Sequence, residues 1–388
     1  MSMNPKEEIG HNIPEPTPIN RLVLVGNGFD LAHGMKTSYK DFITGYFHKC
    51  WEDALSKYKP TGEKVSREFY KDDLIRITIN STLQKDQSLE IDFNNKKSLK
   101  NIISNVIEPG SSKWYSFFVK SIFFKNLINI MLDKNWVDIE NYYYEELIKI
   151  ISPIKNGFNN PHGEINIENL KRLNHDFDLI KKAFEKYLFS IETPNEIPGL
   201  QNLIYEKAMS DSTKPGKKYE LKNLMILNFN YTETTQRYLN HNADLVHIHG
   251  ELNKNKNPII FGYGDERDET YEKLEKAKVE GVFTHIKSFD YFKTDNYSRL
   301  LAFLESKFDV YIMGHSCGLS DRTLLSTIFE HKNCRFIKIF YYKDESEYRK
   351  TTYEISRHFT DKALMRKRVL PITQCKPMPQ SSTVSKTN

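Results

Sequence analysis

The stretch RLVLVGNGFDLAHGMKTSYKDF, residues 21–42, decides the fold. An apolar run rich in Val and Leu ends in Gly26-Asn27-Gly28. Gly34 stands six residues further on, and a polar, aromatic helix start follows. A glycine-rich turn at the carboxyl end of a first strand leaves amides unshielded, and a helix N-terminus behind it favours anions. The turn departs from the dinucleotide fingerprint, because Leu31 stands where the third glycine belongs. No acidic residue closes a clear second strand either, since a long helical stretch comes next. A hydride-transferring Rossmann enzyme is therefore demoted. The question is whether a nucleotide's phosphates approach this turn, or only a neighbouring helix.

Working outward, five further runs read as strands: LKNLMILNF (221–229), ADLVHIHG (243–250), PIIFGYG (258–264), FDVYIMGHS (308–316) and CRFIKIFYY (334–342). Their cores are continuous rather than alternating, which suits a parallel sheet covered on both faces. The intervening residues are rich in Lys, Asn and aromatics at helical spacing, as in DFDLIKKAFEKYLFSIE (176–192). The expected fold is α/β: a Rossmann-like parallel sheet of about six strands with a large helical insertion after the first strand-helix unit. Residues 20–45 and 221–372 would form the core and 46–220 the insertion. Residues 1–19 read as a flexible arm and 373–388 as a disordered tail.

Composition narrows the class. The net charge of +5 is small for 388 residues, so a nucleic-acid surface is not indicated. Cys50, Cys317, Cys334 and Cys375 show neither paired nor metal-type spacing, which fits a reducing cytoplasm. The polar first twenty residues do not resemble a signal peptide. The most apolar segment, WYSFFVKSIFFKNLINIML, is broken by Lys120 and Lys125 and reads as a buried or amphipathic helix rather than a membrane span.

Three constellations carry chemistry. In LNFNYTETTQRYLNHNADLVHIHGELN (227–253), adjacent strand ends deliver Asn228, Asn230, His247, His249 and Gly250, where open α/β sheets bind ligands. His247 and His249 alternate by two, so within a strand they could chelate a metal from one face. No third ligand is obvious, and one packed and one functional histidine is the plainer reading; no metal is expected. VYIMGHSCGLSD (310–321) contains Gly314-x-Ser316-x-Gly318, the pattern of a hydrolase nucleophile elbow, with Asp344 and His358 following in the matching order. Against a hydrolase, Gly318-Leu319-Ser320-Asp321 reads as a later helix N-cap, whereas in an elbow the helix starts at the serine. A tight turn or a nucleotide contact are the other readings. In NWVDIENYYYEELIKII (135–151), Asn135 reads as a helix cap with Asp138 in the first turn; capping and packing explain the segment, and Glu140 could still reach the cleft.

With these residues in hand, the chain resembles the bacterial AbiH family of phage abortive-infection proteins. GNGFDLAHGMKTSYKDF, NWVDIE, LNFNYTET, HIHGEL, IIFGYGDE and YIMGHSCGLSD stand in that family's order over residues 22–325. AbiH is in turn similar to the SIR2-like fold. Gly26-Asn27-Gly28 and the later Gly34-Met35 are spaced like the sirtuin Gly-Ala-Gly turn and its Gly-Ile-Pro. Asn230-Tyr231 stands at the ribose-orienting Asn-Tyr-Asp, His249-Gly250 at the catalytic His-Gly, and Gly314 and Ser316 at the late Gly-x-Ser. Thr232 replaces the aspartate after Asn-Tyr, Asp30 replaces a serine, and no four-cysteine zinc module is present, which argues against a protein deacylase.

The resemblance implies NAD as substrate or ligand in an antiphage protein, with His249 and Asn230 catalytic. Gly26, Asn27, Gly28, Asp30 and Gly34 would bind it with Asn228, Thr232 and Gly250, and with Gly314 and Ser316. A phage-derived or host activator engaging the insertion, and assembly into a homo-oligomer, follow by analogy alone. Cleavage of the nicotinamide-ribose bond needs no acid for the leaving group, because the cationic ring departs as a neutral base. A nucleotide-binding sensor or adaptor without turnover and a serine hydrolase using Ser316 are the alternatives.

Overall fold

The structure, a computed structural model, describes residues 15–59, 66–80, 91–104, 115–134, 138–151, 165–210, 217–268 and 270–381. Its centre is a six-stranded sheet built from β1 (Thr17–Val25), β5 (Tyr219–Asn228), β6 (Ala243–His247), β7 (Phe308–Met313), β8 (Cys334–Tyr341) and β9 (Lys376–Pro377). The order is β6-β5-β1-β7-β8-β9, and every pairing is parallel. The continuous apolar runs follow from that burial. Leu22 and Leu24 join one core cluster while Val23 and Val25 join another, so alternate residues of β1 serve opposite faces.

Four expectations need correction. PIIFGYG is not a strand of the sheet: apart from a lone bridge from Tyr263 to Ile286, residues 258–264 are irregular. Their side chains divide between two cores, with Ile259, Phe261 and Tyr263 in one and Ile260 in the other. The sixth strand is instead β9, inside the stretch read as a disordered tail. Cys375 and Met378 are buried there, and the Ser381 amide donates to Ala32 O at 2.8 Å, so residues 373–381 are packed; 382–388 lie outside the described residues. At the other end β1 starts at Thr17, so residues 17–19 belong to the sheet rather than to an arm, and 1–14 lie outside the described residues.

The fourth correction concerns residues 46–220. Helices do dominate the excursion between the first turn and β5: α1 (Asn27–Ala32) and α2 (Tyr39–Lys57) lead into α3 (Lys96–Ser104), α4 (Ile122–Lys134), α5 (Ile139–Ile151) and α6 (Ile167–Phe189). It also holds an antiparallel sheet of β2 (Ser66–Lys71), β3 (Ile75–Asn80) and β4 (Tyr115–Val119). Ile75, Ile77 and Ile79 are buried while Arg76 is exposed, a period of two that specifies a one-sided strand. The apolar segment read as a single helix therefore divides into β4 and α4. The excursion shares one core with Ile259, Phe261, Leu274 and Ile286, so it packs on residues 258–286.

Candidate functional site

The strand order reverses at β1, which lies between β5 and β7, and ligand crevices of open α/β sheets form outside such a point. Here the two glycine turns meet. The Gly28 amide donates to Gly314 O at 2.8 Å. A Cβ on Gly28 would lie 2.7 Å from that oxygen, and one on Gly314, whose φ is +74°, would lie 2.1 Å from the Phe29 nitrogen. What comes closest to the first turn is thus the backbone of the second. The reading of an open row of amides needs amending: the Gly26 and Gly28 amides are engaged, by Met313 O at 3.4 Å and Gly314 O at 2.8 Å, and α1 is only six residues long.

A cavity of about 720 Å³ opens beside the turns. Gly26, Asn27, Gly28, Asp30, Asn230, Thr232, His249, Gly314 and Ser316 line it, as do Asp138 and Glu140 from the excursion. Gly34, Asn228 and Gly250 are not in its wall. Gly34 follows α1 at φ +83°. Asn228 braces the loop after β5: its Nδ2 donates to Thr232 O at 3.3 Å and its Oδ1 accepts the Asn230 amide at 3.0 Å. Asn230 Nδ2 then donates to Gly26 O at 3.0 Å, tying that loop to the first turn. Gly250, at φ +82°, allows Pro258 O to pack where a Cβ would be 2.1 Å away.

His247 and His249 do not share a face. β6 ends at His247, so strand alternation does not extend to His249. The His247 ring lies 3.2 Å from Asn228 Nδ2, whereas His249 turns to Asp321. Among the described residues no cluster of three metal-type ligands forms.

Asp30 and Thr232 touch each other: the Thr232 hydroxyl donates to Asp30 Oδ2 at 2.6 Å. Asp30 is buried, and Oδ1 has no partner among the described residues. Burial pushes its pKa up to about 6, against the lowering effect of the Thr232 hydrogen bond.

The charge centre gathers around Asp321. Its Oδ1 lies 3.1 Å from His249 Nε2 and 2.8 Å from Lys287 Nζ, and its Oδ2 lies 3.6 Å from His315 Nε2. Lys287 is fully buried and bridges to Glu140 at 3.1 Å; Glu140 Oε1 also accepts the Gly262 amide at 2.9 Å. The expectation that Asp321 caps the next helix is half right. It precedes the helix Arg322–Phe329, but its side chain makes no cap bond and turns to the Lys287 ammonium and the two imidazoles instead. Asp138 differs in the reverse sense: it precedes α5 and accepts the Asn141 amide at 3.0 Å, acting as a cap, while Asn135 and Trp136 lie outside the described residues.

Tautomers follow from the partners. A carboxylate only accepts, so the hydrogen of neutral His249 sits on Nε2, and Nδ1 keeps its lone pair. The Cys317 amide donates to His315 Nδ1 at 2.9 Å, which puts the His315 hydrogen on Nε2 as well. Burial, reinforced by Lys287, pushes the His249 pKa down to about 4. Burial alone would raise the Asp321 carboxyl, but Lys287 and His249 outweigh it and hold it well below the usual range. Burial lifts Glu140 to about 7 against the pull of Lys287.

The hydrolase alternative does not assemble. His358 Nε2 sits 2.7 Å from the Cys317 carbonyl, and Asp344 caps the helix Glu345–Arg357 by accepting the Ser346 amide at 2.9 Å. Neither partner is bonded to Ser316, which is exposed. Sequence reasoning missed Lys287, His315 and Tyr291, and gave Asp321 another role. The Tyr291 hydroxyl lies 3.4 Å from His249 Nε2. The one available signal for Lys287 was a lone cation amid the apolar and aromatic residues of GVFTHIKSFDYF.

Among the described residues no helix is long and apolar enough to cross a membrane. The model of the family described as bacteriophage abortive infection AbiH matches residues 22–343. No curated protein and no solved structure matches the chain.

Proposed function

The chain belongs to the AbiH family of bacteriophage abortive infection proteins, and on that premise we propose that its cavity binds NAD or a related nucleotide and cleaves the nicotinamide-ribose bond. The observation that carries the reading is the Asp321–His249 pair at the wall of the cavity beside the two glycine turns. With its Nε2–H held by Asp321, His249 presents Nδ1 as the base. The C1′–N bond breaks with its electron pair going to the nicotinamide ring, which leaves neutral. Water adds to the ribosyl cation, and its proton goes to Nδ1. The products are nicotinamide, ADP-ribose and a proton. Asn230, anchored on Gly26, would orient the ribose or the water. The Asp30 oxygen that has no partner among the described residues suits a ribose hydroxyl, and its carboxylate favours the cationic ring and the developing oxocarbenium ion.

A second reading, nucleotide binding without turnover, draws on the depressed His249 pKa of about 4, since such an imidazole is a weak base. The test is nicotinamide release from NAD by the purified protein and by His249→Ala, with and without extract from phage-infected cells. The expected result is release that His249→Ala abolishes while NAD still binds. Binding without release in either condition would favour the second reading, and no binding would overturn both. An activator acting through the excursion and assembly into an oligomer belong to the same proposal, and the extract arm addresses the first.

A further inference from the structure

The charge centre joins three segments distant in the chain: Glu140 on α5 of the excursion, Lys287 in the segment before β7, and Asp321 after β7. We propose that Glu140 is a positioning residue for the Asp321–His249 pair, acting through the buried Lys287 ammonium, so that the site is complete only while the excursion is docked. This rests on the reading of His249 as the base.

The geometry is a competition for one oxygen. Asp321 Oδ1 accepts from both His249 Nε2 and Lys287 Nζ. Lys287 divides itself between Asp321 at 2.8 Å and the two oxygens of Glu140 at 3.1 and 3.2 Å. Glu140 is itself fixed by the Gly262 amide. A lysine on a flexible stem that loses one of two carboxylates leans on the other. Without the Glu140 charge, Lys287 would take Asp321 Oδ1 for itself, and the His249 hydrogen would lose its partner. The groups facing His249 are Lys287 and Tyr291 from residues 287–291, Asp321 and His315 from the turn after β7, and Glu140 and Asp138 behind Lys287.

The test reads the tautomer of His249 by nitrogen NMR on the full chain, which needs no substrate. Well above pH 7, where Glu140 is ionised, wild type should show the Nε2–H form alone. Glu140→Gln keeps an acceptor for Gly262 and Lys287 but removes the charge, and should show a mixture of both tautomers. Adding Lys287→Met removes the competitor, and the double variant should return to Nε2–H. Lys287→Met alone should keep that tautomer and raise the His249 pKa by at least about one unit, since His249 then faces Asp321 without a neighbouring cation. If that single variant does not fold, the double variant, which strands no charge from the Glu140–Lys287 pair, carries the test. For NAD cleavage, Glu140→Gln should lower kcat about tenfold or more with little change in KM, and the double variant should recover part of it. An unchanged tautomer in folded Glu140→Gln, or no return in the double variant, overturns the proposal. If wild type cleaves no NAD while the tautomers behave as stated, the functional reading fails and the positioning role stands.

Discussion

On the sheet side of the cavity the site is made of backbone. A Cβ added to Gly26, Gly28 or Gly314 would lie 2.7, 2.7 or 2.1 Å from a neighbouring backbone atom. On the excursion side it is made of charge, where Glu140 reaches Lys287 and, through it, Asp321. Steric contacts of the first kind respond to volume and are indifferent to pH. Contacts of the second kind tolerate changes in shape but respond to every change in charge. The same cavity therefore has one wall that behaves as a fixed scaffold and one that behaves as a conditional partner.

The comparison breaks most sharply at Gly314. Gly314→Ala combines a contact of 2.1 Å with a φ of +74°, and both turns would have to part to admit it. The expected loss is more than about 4 kcal/mol, enough for failure to fold, read by thermal or denaturant unfolding. Gly199 is the internal control: its φ is +80°, but among the described residues nothing lies within 4 Å of an added Cβ. Gly199→Ala should cost only the backbone strain, about 1–2 kcal/mol. Equal losses at the two positions would refute the steric account of the switch point.

The conditional wall is next in size. Lys287→Met leaves Glu140 and Asp321 buried with no cation between them, and should destabilise by about 3–5 kcal/mol. Combining it with Glu140→Gln removes the repulsion and should recover most of that loss. Simple additivity of the two substitutions in unfolding experiments would show that they do not form one unit.

The scaffold wall was largely legible in the sequence, and the conditional wall was not. Gly26, Gly28 and Gly314 end continuous apolar runs, and both the burial of a parallel strand and the need for close approach leave local marks. The site's charges leave none. Asp321 looks locally like a helix cap, and Glu140 like a first-turn carboxylate on an amphipathic helix, because both are good choices for those positions. They lie 34 and 147 residues from Lys287, their shared partner, and a pairing at such range has no local signature. The strand misread at 258–264 fails for a related reason. Its β-branched and aromatic composition and its alternate burial in two cores are those of a strand, but apart from the lone bridge from Tyr263 to Ile286 it joins no strand ladder, and whether a neighbour pairs with a run is not written in the run itself. The alternating Ile75, Ile77 and Ile79 did carry a strand signal, which the surrounding helical composition obscured.

Asp30 belongs to the scaffold wall yet carries a charge, and so tests whether the division holds. Its pKa is raised from 3.8 to about 6 by burial. A folded-state pKa above the unfolded value means that the folded protein binds the proton more tightly. The contribution to stability is therefore fully favourable below about pH 3.8 and declines as pH rises to about 6, the reverse of a salt-bridged carboxylate. At pH 7 the charged form costs about 3 kcal/mol as an upper figure, at 1.36 kcal/mol per unit. Asp30→Asn keeps an acceptor for the Thr232 hydroxyl and removes the charge, so it should stabilise the protein at pH 7 by up to about 2 kcal/mol. The gain should vanish below pH 4, where Asp30 is already neutral. His249 and His358, both depressed to about 4, act oppositely, withdrawing stability as pH falls from 6.5 toward 4. The Asp30 effect must therefore be read as the difference between variant and wild type at each pH. On the proposed function, the stabilised variant should also bind NAD more weakly, because the oxygen with no partner among the described residues is the one offered to the ribose. A variant that gains stability and keeps its affinity for NAD would assign Asp30 to the scaffold alone.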